Sequence, residues 1–117
     1  MDERLEKALD YSNYMITLNN QKRVLKEKFR EQTIFYYNGG QFTVTKDLIM
    51  WCVRMCDTGN DQDQVIIDDN ETPILVRDSS IFLDDIQDLY FKAVNEYHAE
   101  YKKLSSNRSV EKLVEYE

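Results

Sequence analysis

The stretch that decides the fold is QVIIDDNETPILVRD, residues 64–78. Two short apolar runs, residues 65–67 and 74–76, flank a polar turn that holds the only proline of the chain, Pro73. Short apolar runs separated by turn residues are typical of a β-hairpin. Pro73 is expected at the start of the returning strand, where its missing N–H group is tolerated. The stretch therefore predicts a hairpin, and a long amphipathic helix is predicted directly after it.

The same order of elements precedes this hairpin. Residues 33–37 are rich in β-branched and aromatic side chains, and the Asn38-Gly39 pair is the strongest short signal for a hairpin turn. Residues 42–45 are the predicted returning strand. A helix is predicted to follow, with the Thr45 hydroxyl as its N-terminal cap. Its side chains are apolar nearly all round, which favours a central and largely buried helix.

Long helices are predicted at both ends of this central part. Residues 2–31 predict the first helix, whose apolar side chains recur at alternating three- and four-residue steps: Ala8, Tyr11, Met15, Leu18, Leu25 and Phe29. Further apolar side chains widen this face: Leu5, Leu9, Ile16 and Val24. The wide face favours a helix packed on a domain over a narrow coiled-coil seam. The last helix is predicted to end near Ser105, and residues 110–116 predict one more short helix.

These elements predict a single α+β domain over residues 1–117, in the order α-β-β-α-β-β-α. The two hairpins are expected to form one small antiparallel sheet or two, packed by the long N- and C-terminal helices. Residues 105–117 are expected to be a tail. Aromatic side chains on the long helices make self-association through those helices a further prediction.

Charge is distributed unevenly along the chain. The net charge is −7 at pH 7, and residues 57–91 carry ten acidic groups against one basic group, Arg77. No nucleic-acid partner is expected, because phosphate contacts need a basic surface. No membrane association is expected either, since no apolar run approaches the roughly 20 residues of a membrane span. The charged start, MDERLEKALD, does not resemble a secretory signal, so a cytoplasmic location is predicted.

Two stretches are candidate interaction surfaces. The first is the turn of the acidic hairpin, which suits a basic protein partner: Asp68, Asp69, Asn70 and Glu71. The second is the basic part of the first helix, which suits an acidic surface or phosphates: Lys22, Arg23 and Lys26. The alternative for the basic part is a solvated helix end, where basic side chains favour the C-terminal dipole.

The sequence gives little support for catalysis or for a cofactor. Cys52 and Cys56 share one helical face, but a zinc site needs four ligands and the chain has only one histidine, His98. Two ordinary buried thiols and an exposed histidine are expected. The tripeptide at residues 57–59 matches the Asp-Thr-Gly motif of aspartic proteases, but it follows a predicted helix instead of a strand. No catalytic residue is predicted.

The acidic side chains around the second hairpin are the candidate cation ligands: Asp57, Asp61, Asp63, Asp68, Asp69 and Glu71. Carboxylates are the ligands that a hard cation such as calcium prefers. The stretch lacks the order of an EF-hand loop, however, with no glycine at the sixth position and no closing glutamate at the twelfth. Solvated turn residues are the alternative.

Three stretches resemble small uncharacterised proteins of T4-like phages of marine bacteria. They are ALDYSNYMITLNNQKRVLKEKF at residues 8–29, YYNGGQFTVTKDLI at residues 36–49 and VIIDDNETPI at residues 65–74. The resemblance implies a viral source and a setting in the bacterial host cytoplasm or in the virion. It implies no site residue.

The leading hypothesis is a non-enzymatic protein–protein interaction factor with an accessory, assembly or regulatory role in a phage. It rests on the absence of a catalytic pattern, on the acidic hairpin and on the apolar faces of the long helices, which are longer than a small sheet needs. One alternative is a structural component of the virion. Another is a small domain that binds a divalent cation through the acidic hairpin.

Overall fold

The computed structural model describes residues 2–106 of the chain. Its elements are α1 (Glu3–Gln32), β1 (Ile34–Tyr37), β2 (Gly40–Thr43), α2 (Lys46–Asp57), β3 (Gln62–Ile67), β4 (Pro73–Asp78) and α3 (Ser79–Ser106). This order confirms the predicted α+β fold. The short helix predicted at residues 110–116 lies outside the described residues, as does most of the predicted tail.

The two hairpins form two separate antiparallel sheets, β1 with β2 and β3 with β4. Asn38 and Gly39 have φ angles of 47° and 82°, so both central residues of the first turn adopt the left-handed conformation that a type I′ turn requires. Because the turn uses only these two residues, Gly40 already pairs with Tyr37. The strand β2 therefore begins two residues before the predicted strand.

Contacts along the chain define two compact units. One unit is Phe29–Asn95, which contains both hairpins and α2. The other combines the chain up to Lys28 with the chain from Glu96 onward, and its described residues belong to α1 and α3. The sequence-based prediction of one domain stays a prediction, and the two units are described separately.

The core of the Phe29–Asn95 unit is a single apolar cluster. Its buried members are Phe42, Val44, Ile49, Cys52, Ile66, Ile74, Val76, Phe82 and Ile86. Phe82 contacts three aromatic rings edge to face, with centroid distances of 5.7 Å to Phe35, 5.2 Å to Tyr37 and 5.4 Å to Phe42. Such geometry adds favourable ring electrostatics to the buried apolar area. The start of α3 is therefore fastened to the first hairpin through Phe82.

The helix α2 is less buried than predicted. The Thr45 hydroxyl accepts the N–H of Leu48 at 3.2 Å, which confirms the predicted cap. Only Ile49 and Cys52 are buried in this helix, whereas Met50 is 64 % exposed. The prediction of a largely buried helix was wrong. Apolar side chains all round a helix do not by themselves supply neighbours for every face.

In the second unit, α1 and α3 contact each other along one side. The ammonium of Lys28 lies 3.1 Å from a carboxylate oxygen of Glu96, and the ammonium of Lys22 lies 5.9 Å from the centroid of the Tyr101 ring. These contacts pair α1 with α3 within this unit. The predicted wide apolar face of α1 was wrong, because α1 has no buried residue and Leu9 is 47 % exposed. Its half-buried residues recur at three- and four-residue steps from the middle of the helix onward: Tyr14, Met15, Thr17, Leu18, Gln21, Lys22, Leu25, Phe29 and Gln32.

Replacing Gly40 by alanine is expected to cost about 1–3 kcal/mol of unfolding free energy through overpacking. A Cβ at this position would lie 2.6 Å from Cγ1 and 2.9 Å from Cδ1 of the buried Ile74. Urea unfolding of Gly40→Ala measures the loss. Ile74→Ala removes both Cγ1 and Cδ1, so the double variant should lose less than the sum of the two single losses; strictly additive effects would contradict a clash between these two residues.

Candidate protein-interaction surface

The turn between β3 and β4 is built around the carboxylate of Asp68. Its Oδ1 accepts the backbone N–H groups of Asn70 at 3.0 Å and Thr72 at 2.8 Å, and its Oδ2 accepts the N–H of Gln41 at 3.0 Å. Asp68 is only 8 % exposed. The N–H of Gln41, followed by that of Thr72, favours the charged form and lowers the pKa of Asp68 below its ordinary value of 3.8.

Asp69 makes the second connection between this turn and β2. Its N–H donates to the carbonyl of Gln41 at 2.9 Å, and its Oδ2 accepts the hydroxyl of Thr43 at 2.6 Å. Asp68 and Asp69 thus hold the second turn against the first hairpin. Of the four predicted contact residues in the turn, Asn70 and Glu71 remain as exposed side chains that carry no such attachment.

The outward side of the second hairpin carries an exposed apolar surface. The register places Val65 opposite Leu75 and Ile67 opposite Pro73. Val65 is 56 % exposed, Ile67 67 % and Leu75 36 %, and Pro73 is also exposed. We call these four residues the outer apolar face. The side chains that alternate with them point inward and are buried, so the β3–β4 hairpin is apolar on both sides and only the inner side is covered within the described residues.

Sequence reasoning missed the outer apolar face, although a signal for it was present. A strand with one solvated side alternates apolar and polar residues. Residues 65–67 and 74–76 are instead apolar without a break, which is consistent with strands covered on both sides. The interpretation of these runs as ordinary hairpin strands left the second side unexplained.

The outer edge of β3 is open. Hydrogen-bonded pairs recur at every second position of an antiparallel ladder. The N–H of Asp68 donates to the carbonyl of Thr72, so the bonded positions of β3 lie two, four and six residues before Asp68. Val65 and Ile67 then direct their N–H and C=O groups away from β4. Within residues 2–106, no hydrogen bond to these outward groups is present. The edge of β4 differs, because the Leu75 carbonyl accepts the side-chain amide of Asn38 at 3.2 Å.

The open edge and the outer apolar face lie in the most acidic part of the chain. Asp61 and Asp63 stand at the beginning of β3, and Asp69 and Glu71 follow its end. Asp63 has a φ angle of 53° and is left out of the strand pairing, as is Arg77 across from it. This surface is therefore an apolar strip with carboxylates at both ends.

The predicted basic surface belongs to the other unit. Lys22 is half-buried over the Tyr101 ring, and Arg23 lies 4.0 Å from Glu27 in an exposed pair. Lys26 is exposed. An exposed pair at this distance contributes little to stability. The interpretation of this stretch as a docking surface and its interpretation as a solvated helix end both stay predictions.

Cys52, Cys56 and His98 are the other candidate reactive residues of the chain. Burial, with a smaller contribution from the Cys56 thiol, raises the pKa of Cys52 to about 11, which disfavours the nucleophilic thiolate. His98 is exposed on α3. Within residues 2–106, no group of three histidine, cysteine, aspartate or glutamate side chains converges to hold a metal ion. The cation hypothesis for the acidic hairpin therefore gains no support.

A shallow cavity of about 370 Å³ lies beside the turn of the first hairpin. It is lined by Tyr36, Tyr37, Asn38, Gly39, Gly40, Gln41 and Asn70. These residues offer aromatic faces, amides and backbone groups, which suit binding contacts. The cavity joins the two turns that Asp68 and Asp69 hold together.

No protein-family model, curated protein or solved structure matches the chain. No helix within residues 2–106 is long and apolar enough to cross a membrane.

Proposed function

We propose that the protein is a non-enzymatic interaction factor that binds another protein through the outer apolar face of the β3–β4 hairpin. The observation that carries this proposal is the exposure of Val65 and Ile67, which are 56 % and 67 % exposed although both lie in a β-strand. Paired with Leu75 and Pro73, they form a contiguous apolar strip. Contiguous exposed apolar surface is typical of interaction sites, whereas scattered apolar residues are not.

The rigidity of the hairpin supports the same proposal. Three backbone N–H groups bind the Asp68 carboxylate, and Asp69 adds contacts to β2. The second hairpin is thereby fixed to the first, and the inner side of β3 and β4 is packed in the core. A surface that is held in one conformation before binding loses less entropy when a partner docks.

A role in a phage-infected bacterium is part of the proposal and rests on the resemblance alone. The resemblance to phage proteins makes a bacterial or phage protein the expected partner. An accessory, assembly or regulatory role fits a small acidic chain without a catalytic constellation among its described residues. A bacterial lysate is therefore the source from which a partner should be sought.

The test uses two isoleucine-to-lysine variants of matched exposure. Ile67→Lys places a charge in the outer apolar face, and Ile81→Lys places the same charge on α3, where the side chain is 60 % exposed. Both should fold, since surface substitutions usually change stability by less than about 0.5 kcal/mol. Wild-type protein and both variants are used to capture proteins from a bacterial lysate, with quantification by mass spectrometry.

We expect at least one protein that wild type and Ile81→Lys recover equally and that Ile67→Lys recovers at least about tenfold less. Equal recovery by all three proteins would show that the outer apolar face is not the contact surface. A chain that is monomeric in solution and recovers no protein from the lysate would contradict the proposal as a whole.

A further inference from the structure

The open edge of β3 lies beside the outer apolar face and offers hydrogen-bonding groups to a partner. We propose, on the basis of the function above, that the partner binds as an extended basic segment that pairs with the edge of β3 as an additional strand. The N–H and C=O groups of Val65 and Ile67 face this edge, and no residue from 2 to 106 forms a hydrogen bond with these outward groups. Strand addition to an exposed sheet edge gives main-chain hydrogen bonds, and alternate side chains give specificity.

The edge of β3 suits this role better than the other strand edges of the same unit. At the edge of β2, the N–H and C=O of Gln41 are already bonded to Asp68 and Asp69. At the edge of β4, Pro73 has no N–H and the Leu75 carbonyl is bonded to Asn38. The edge of β1 is short, at four residues against six for β3. Only β3 combines an open edge with the outer apolar face.

Charge selects the partner. Residues 57–91 hold ten acidic groups and one basic group, and carboxylates flank β3 at both ends. A segment with lysine or arginine at its ends and β-branched residues between them complements this pattern. Pairing with β3 of a second copy would instead bring acidic ends together, with Asp61 and Asp63 of one chain toward Asp69 and Glu71 of the other. Like charges opposite each other disfavour such a dimer.

The probe is the blocked peptide Lys-Val-Thr-Val-Thr-Val-Lys, labelled for fluorescence anisotropy. We expect saturable binding to the full chain. The same peptide N-methylated at every valine and threonine cannot donate hydrogen bonds from the backbone of its five central residues, so it should bind at least about tenfold more weakly. A third peptide with glutamate in place of lysine should also bind at least about tenfold more weakly.

Two proline variants locate the edge on the protein. Val65→Pro removes an outward N–H of β3 while the bonded positions on either side keep their ladder partners. Tyr36→Pro makes the matched change at the outward position of β1. Val65→Pro should weaken peptide binding at least about tenfold, and Tyr36→Pro should leave it unchanged. Thermal unfolding of each variant checks that it is folded, and the peptide variants test the inference without any change to the protein.

Each result has a definite consequence. Equal binding of the methylated peptide, equal binding of the glutamate peptide, or equal losses in the two proline variants would overturn the inference. A dimer of the chain that Val65→Pro dissociates would identify a second copy as the occupant and would also overturn it. If the peptide does not bind while Ile67→Lys still loses its captured protein, the interaction function stands and strand addition falls. If neither effect occurs, both proposals fall.

Discussion

Replacing Phe82 by alanine is expected to lower the unfolding free energy by about 3–5 kcal/mol. Phe82 is 1 % exposed and its ring meets the rings of Phe35, Tyr37 and Phe42 at centroid distances of 5.2 to 5.7 Å. Alanine removes this buried area and leaves a cavity that the three remaining rings can fill only in part. The same substitution therefore loosens the attachment of α3 to the first hairpin.

Phe91 provides the matched control on the same helix. It is 55 % exposed, so Phe91→Ala removes the same atoms from a site where water already reaches most of the ring. Urea unfolding followed by circular dichroism should give a loss for Phe91→Ala of less than about 1 kcal/mol. Similar losses in the two variants would show that Phe82 is not the centre of the core.

Replacing Asp68 by alanine is expected to lower the melting temperature by roughly 10 °C at pH 7. Alanine leaves the N–H groups of Gln41, Asn70 and Thr72 without their acceptor. A backbone donor left unpaired in a partly buried place is costlier than the loss of the bond alone. Differential scanning calorimetry measures the change, and Asp68→Asn, which keeps one acceptor oxygen, should fall between alanine and wild type.

The contribution of Asp68 should also depend on pH. Because the pKa of Asp68 in the folded chain is lowered below 3.8, the charged form contributes stability that is fully present above about pH 5. That stability is lost as the pH falls through 3.8 and then through the lowered folded pKa. The melting temperatures of wild type and Asp68→Asn should therefore converge between pH 5 and about pH 2.

Asp78 requires a control in this experiment, because its pKa is also lowered. The Ser80 hydroxyl, followed by the backbone N–H of the same residue, donates to its carboxylate. Asp78→Asn should remove part of the acid sensitivity, while the difference between wild type and Asp68→Asn persists in the Asp78→Asn background. A difference between wild type and Asp68→Asn that is constant from pH 7 to about pH 2 would contradict the role of the Asp68 charge.

Local signals predicted the elements well because their causes are local. The Asn38-Gly39 turn depends on two residues that accept positive φ angles. The cap at Thr45 depends on an N–H three residues later. The position of Pro73 at the start of β4 depends on its own missing N–H. Each of these features would be expected in many different tertiary surroundings.

The candidate site was predicted only in part because its causes are not local. The sequence predicts a solvated turn residue at Asp68. Its carboxylate instead accepts the backbone N–H of Gln41, which lies 27 residues earlier in the chain. The residues of the outer apolar face are predicted as ordinary strand residues, but their exposure depends on which side of the hairpin packs against the core. Met50 and Leu9 are exposed for the same reason, since a helical pattern does not say how many neighbours a helix has.

The sequence by itself determined the order of helices and strands, the two hairpin turns and the concentration of acidic groups around the second hairpin. Turn and cap chemistry acts within a few residues, and charge can be counted without coordinates. Only the tertiary structure decided that the hairpins form two sheets, that Asp68 joins them and that Val65 and Ile67 are left uncovered. These outcomes depend on contacts between residues far apart in the chain, where packing selects one side of each element and leaves the other open.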